Sequence, residues 1–311
     1  MARLPARVVA RLGAGGQAAR RATADDAPLL DAIALLTGEP MSTAAALLRH
    51  SDEGNRAFQS DFDALAGSAP RALARRLARV SAPPAAEFEV ALGGLGRPLV
   101  LACLHAGPYL GGLLRVLPGI PGAGRLTLIR RPAACARERA LLAHLRGLGV
   151  EAEVLRLAER PLLPALQALR DGRALLTMID VPPSFWPAGE VAGTARQALL
   201  AAPLLGHRAW LPEGPAALAV AAGAVVLPLH CTGTEHASRV AVGPLVDAER
   251  RIGESRAAAT ARVHQALAGV LEASLRTAPQ DWLLWRHLPA FFVAGEAGAR
   301  ERRGAISRAP P

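Results

Sequence analysis

The sequence predicts an α/β protein built on a mixed, mostly parallel sheet with helices on both faces, preceded by an all-helical N-terminal extension. Three observations lead there. From residue 85 onward, short apolar runs alternate with helix-length segments. The runs are apolar at successive positions, as strands covered on both faces are. Residues 26–84 instead show only the three- and four-residue spacing of helices. Finally, 51% of the 311 residues are hydrophobic, enough for a sizeable core and incompatible with global disorder.

Taken in order, residues 1–25 form a basic segment. Arg3, Arg7 and Arg11 fall on one helical stripe beside Leu4, Val8 and Leu12. Such a stretch either lies on an anionic membrane surface or frays as a tail. It lacks the apolar centre of a signal peptide. In residues 26–84, Leu29, Leu30, Ile33, Leu35 and Leu36, then Leu47, Leu48, Phe58, Phe62 and Leu65, mark helices that Pro83-Pro84 closes. Residues 85–295 form the α/β domain. Its expected strands are Leu99–Leu104, Leu126–Ile129, Ala152–Leu155, Ala174–Ile179, Ala224–Leu229 and Arg239–Val242. Helical patterns separate them at Gly107–Leu117, Ala134–Leu148, Leu162–Leu169 and Pro215–Ala222, and a long helix follows over Ser255–Arg276. The uncharged run Gly214–Thr234 is long enough to cross a bilayer. Pro215, Gly223 and Pro228 break it into a short helix, a turn and a buried strand. Residues 296–311 read as a disordered tail.

The composition excludes several chemistries. All 36 basic residues are Arg, so no Schiff-base or P-loop lysine exists. The net charge of +10 is spread along the chain without a nucleic-acid-binding motif, so nucleic acid is not an expected partner. Cys103, Cys135 and Cys231 are far apart, which argues against a disulfide framework or a cysteine zinc site and suits a reducing cytoplasm. No HExxH, GxSxG or dinucleotide fingerprint occurs, and neither a metal nor a resident cofactor is expected.

Ligands of open α/β sheets collect beyond the carboxyl ends of the strands. Three side chains fall there: His105 after Leu99–Leu104, Asp180 after Ala174–Ile179, and His230. A strand-end histidine leading through a glycine turn into a helix is suited to act as a general base, with amides around Gly107 stabilising an oxyanion. The plainer alternative is a hydrogen-bonded structural histidine.

Longer segments narrow the choice. They are Leu-Ala-Cys-Leu-His105-Ala-Gly-Pro-Tyr-Leu, Leu-Ile-Arg130-Arg131-Pro and Leu-Leu-Thr-Met-Ile-Asp180. Trp210-Leu-Pro-Glu213-Gly214, Gly223-Ala-Val-Val-Leu-Pro228 and Asp281-Trp-Leu-Leu-Trp285 continue the series. In this order, over about residues 85–292, the chain resembles the bacterial lipid A biosynthesis (lauroyl/myristoyl) acyltransferase family of the lysophospholipid acyltransferase-like superfamily. The resemblance implies transfer of a fatty acyl group from acyl-ACP or acyl-CoA, as co-substrate, to a hydroxyl or amine of a lipid-like or amphiphilic acceptor. His105 would deprotonate the acceptor, Arg130 or Arg131 would hold phosphate or the carrier side, and Asp180 would organise the pocket. Gly107, Tyr109, Glu213 and Gly214 complete the implied substrate-binding set. A peripheral location on the cytoplasmic face of the membrane is also implied, with the basic N-terminus in place of a transmembrane anchor.

One position departs from the pattern. The family carries an acid five residues after the histidine, and Leu110 stands there. Asp180 is the best substitute; the alternatives are a backbone carbonyl or a catalytically silent member that binds lipid or acyl chains. His230 and Glu235 do show the His-x4-acid spacing, but eight histidines among 26 acids make about one such match expected by chance. Trp282 and Trp285 read as packing anchors on a helical segment, and Phe185-Trp186 as an acyl-channel lining or a loop plug.

Overall fold

The computed structural model describes residues 26–130, 136–156, 162–182, 199–234 and 236–292. Three helices come first: α1 (Ala27–Thr37), α2 (Met41–Ala66) and α3 (Pro70–Leu77). Pro at the start of α1 and of α3 suits positions whose N–H groups have no intrahelical partner. Strand β1 (Val80–Ser81) and α4 (Ala85–Leu92) lead into the alternating part. That part runs β2 (Leu99–Cys103), α5 (Tyr109–Val116), β3 (Arg125–Arg130), α6 (Ala136–Gly147), β4 (Glu151–Arg156), α7 (Leu162–Arg170) and β5 (Ala174–Met178). A hairpin of β6 (Leu199–Leu204) and β7 (His207–Pro212) precedes α8 (Gly214–Ala222). Then come β8 (Val225–Thr234), β9 (Ala237–Val242), β10 (Val246–Asp247) and α9 (Arg256–Thr277).

The main sheet has the order β1-β9-β8-β2-β5-β3-β4, with β10 also on β8. Its centre, β8-β2-β5-β3-β4, is parallel throughout, while β9 and β10 pair antiparallel with β8. Strand β2 is buried along its whole length because it serves two cores. Val100 and Ala102 point into one with Ile33, Leu47, Leu169, Ala219 and Leu271; Leu99, Leu101 and Cys103 point into the other with Leu65, Leu73, Phe88, Leu114 and Leu145. The continuous apolar run thus follows from helices on both faces.

The helices of residues 26–84 share these cores with the sheet, and β1 extends the sheet by pairing parallel with β9. The run 214–234 forms the expected helix, a turn at Gly223 (φ +61°) and a strand. Among the described residues no helix is long and apolar enough to cross a membrane. The Asp281–Trp285 segment is not a regular helix: it runs between two 3₁₀ turns, Pro279–Asp281 and Trp285–His287, and Trp282 forms an antiparallel bridge with Ala106.

Candidate functional site

Strands β2 and β5 are parallel neighbours, with Cys103 opposite Met178, and the Ile179 N–H donates to the Cys103 carbonyl at 3.0 Å. Two residues further on, both chains reach the carboxyl edge together and place His105 beside Asp180. The His105 Nδ1 lies 2.8 Å from Asp180 Oδ1. The His105 backbone N–H donates to Asp180 Oδ2 at 2.8 Å, and the Trp282 Nε1–H donates to the same oxygen at 2.9 Å. Asp180 is 0% exposed, so these donors replace the water its carboxylate has lost. An ionised carboxylate only accepts, so the neutral imidazole carries its proton on Nδ1 and presents a lone pair at Nε2. The His105 side chain is 20% exposed, and among the described residues Nε2 has no hydrogen-bond partner.

The turn after His105 is clamped by residues 281–283. The Gly107 N–H donates to the Asp281 carbonyl at 2.8 Å, and the Leu283 N–H donates to the His105 carbonyl at 2.9 Å. Gly107 has φ +52°, and a Cβ there would stand 2.9 Å from the Cys231 carbonyl oxygen; only glycine fits. Its own amide is therefore not available to an oxyanion. The amides of Leu110 and Gly111, in the first turn of α5, have no backbone acceptor among the described residues. Leu110 itself packs half-buried against the second core and brings no polar group to His105. Tyr109 is buried between Phe58 of α2, stacked at 4.9 Å between centroids, and His105, edge-on at 5.5 Å. Burial pushes its phenol well above the ordinary tyrosine range.

The other expected residues lie along the same carboxyl edge. Arg130 ends β3 in register with Arg156 of β4. The buried Glu138 carboxylate accepts from Arg156 and lies 3.6 Å from Arg130 Nε, so both guanidiniums face this carboxylate. Arg131 lies outside the described residues, as do Phe185, Trp186, Cys135 and Glu235. Helix α8 runs back from β7 to the start of β8, a strand parallel to β2, so Glu213 and Gly214 stand at the carboxyl edge. Glu213 makes no capping bond. Its neighbours Pro212 and Pro215 line a cleft with Ile179, Leu211 and Leu271.

His230 does not join His105. It is half-buried, its Nδ1 has no partner among the described residues, and burial lowers its pKa against the opposing charge of Asp281. Asp281 instead accepts from the Gly233 N–H at 3.0 Å. Burial raises the Cys103 thiol, and raises Cys231 to about 12, so neither supplies a thiolate nucleophile near neutrality. Among the described residues no group of three His, Cys, Asp or Glu could hold a metal.

Sequence reasoning placed His105 and Asp180 but missed Trp282 as the donor that fixes Asp180. The only signal was the Asp281-Trp-Leu-Leu-Trp285 string, whose tryptophans read as packing. No protein-family model matches the chain, and a search of curated proteins gives no match.

Proposed function

We propose that this protein is an acyltransferase that moves a fatty acyl group from a thioester of acyl carrier protein or coenzyme A to a hydroxyl or amine of a lipid-like acceptor. The observation that carries this reading is the 2.8 Å pairing of His105 Nδ1 with a buried carboxylate, which leaves Nε2 without a partner among the described residues. The motifs around His105, Arg130, Glu213 and Asp281, which resemble the lipid A biosynthesis acyltransferases, supply the substrate class. The same resemblance suggests a peripheral position at the cytoplasmic face of a membrane.

In this mechanism Nε2 takes the proton of the acceptor hydroxyl or amine as its oxygen or nitrogen attacks the thioester carbonyl. Asp180 stabilises the imidazolium that results. The carbonyl π electrons move to oxygen, and the Leu110 and Gly111 amides, which have no backbone acceptor among the described residues, would donate to it. Collapse re-forms the carbonyl and breaks the carbon–sulfur bond. The thiolate leaves and receives the proton held on Nε2. No covalent enzyme intermediate is required. Arg130 binds an anionic group of donor or acceptor.

The test is turnover of a panel of acyl thioesters, read as free thiol released in the presence of amphiphilic alcohols and amines. His105→Ala is expected to abolish acceptor-dependent release. Release by wild type that His105→Ala leaves unchanged would overturn the reading. A second reading rests on Leu110 in place of the family's acid: a silent member that binds lipid or acyl chains. Binding of thioester or lipid without turnover, equal in wild type and His105→Ala, would favour it.

A further inference from the structure

We infer that Asn55, on helix α2 of the N-terminal extension, is a positioning residue for His105. The inference rests on the acyltransferase reading for its kinetic consequence, though not for its geometry. The Asn55 side-chain amide donates to the Leu283 carbonyl at 2.6 Å and to the Ser51 carbonyl at 2.9 Å. The N–H of the same Leu283 donates to the His105 carbonyl at 2.9 Å. One residue before it, Trp282 bridges to Ala106 and donates to Asp180. Segment 281–283 therefore touches both members of the pair, and Asn55 anchors it from helix α2.

The contact is close-fitting on both sides. A Cβ on Gly54 would come within 2.8 Å of the Leu283 side chain, so the helix backbone presses directly on the segment. One turn further along α2, Phe58 stacks on Tyr109, which meets the imidazole edge-on. Helix α2 thus reaches His105 by two routes, a hydrogen-bonded one through Leu283 and an aromatic one through Tyr109. An amide is suited to the first route because it has two N–H donors, and one reaches the Leu283 carbonyl while the other holds to the Ser51 carbonyl of its own helix. Losing it leaves the Leu283 carbonyl without that donor and loosens the segment whose Leu283 N–H holds the His105 carbonyl.

Two variants test this. Asn55→Leu removes the donor and keeps the branched shape, and Asn55→Gln keeps an amide one methylene longer. Asn55→Leu is expected to lower kcat about tenfold, the worth of one hydrogen bond to a buried group, with the KM for the thioester unchanged. It should also shift the His105 Nδ1 proton resonance, identified by its absence in His105→Ala. Asn55→Gln should lie between Asn55→Leu and wild type on both readouts. Wild-type kcat and resonance in Asn55→Leu would overturn the inference, as would equal losses in both variants that merely follow the folded fraction. If Asn55→Leu does not fold, Asn55→Gln decides: a shifted resonance supports the role, and an unshifted one with reduced kcat refutes it. A shifted resonance in a protein that turns over no thioester would keep Asn55 as a positioning residue while the acyltransferase reading fails.

Discussion

Asp180 accepts from the His105 ring, the His105 amide and the Trp282 indole while excluded from water. Asp180→Asn keeps one oxygen for two of these donors but turns an NH₂ toward Nδ1, which reverses the imidazole tautomer. In a serine-protease triad the same exchange costs on the order of 10⁴ in rate. Here thioester turnover is expected to fall at least about 100-fold, with circular dichroism and melting little changed. A near-normal rate would remove Asp180 from the mechanism. The carboxylate was legible in the sequence because it ends an apolar run, as His105 does, and neighbouring parallel strands bring their ends to one edge. Trp282 was not legible. Its bond to Asp180 spans 102 positions, and nothing local distinguishes an indole that donates to a carboxylate from one that only fills space.

Helix α5 carries Tyr109 and the amides of Leu110 and Gly111, and it approaches β8 closely because Gly112 has no side chain. A Cβ there would lie 2.1 Å from Cys231 Sγ and 3.1 Å from Val240. Gly112→Ala must push the helix off the sheet, and such overpacking costs about 1–3 kcal/mol. The expected result is a lower denaturant midpoint with an unchanged slope; an unaltered midpoint would mean that α5 shifts freely. At this scale the sequence marked the fully buried strands well, since two covered faces leave an unbroken apolar run. It missed the β6–β7 hairpin, where Pro203, Gly206 and Pro212 interrupt the pattern, and β1, only two residues long. It also stopped β8 at Leu229, whereas the strand runs on to Thr234 because β9 pairs with its polar end as far as Ala237.

Over the whole molecule, helices α1 and α2 are fastened to the end of the described chain. Arg286 donates to both carboxylate oxygens of Asp52 at 2.5 Å and to Asp26 at 2.9 Å. Stability should also depend on pH in a definite window. Burial holds the pKa of His264 and of His230 below the ordinary histidine value, so the folded protein keeps both neutral. Below about pH 6.5 the unfolded chain binds protons that the folded chain does not, and stability falls as pH falls. The paired carboxylates act lower: Arg262 holds Glu254 at about 2, so its contribution persists through that window. The unfolding free energy is expected to decline between about pH 7 and pH 5, and His264→Gln should flatten part of that slope. An identical slope in the variant would exclude His264 as a source.

The clamp of residues 281–283 over His105 also bears on biosynthesis. Both members of the pair leave the ribosome long before Trp282, and until that indole arrives Asp180 lacks one of its donors and the glycine turn has no backbone partner. A nascent chain can assemble its sheet early and still have an unfinished centre. Competence waits until residues 281–283 have been made and have folded back over His105.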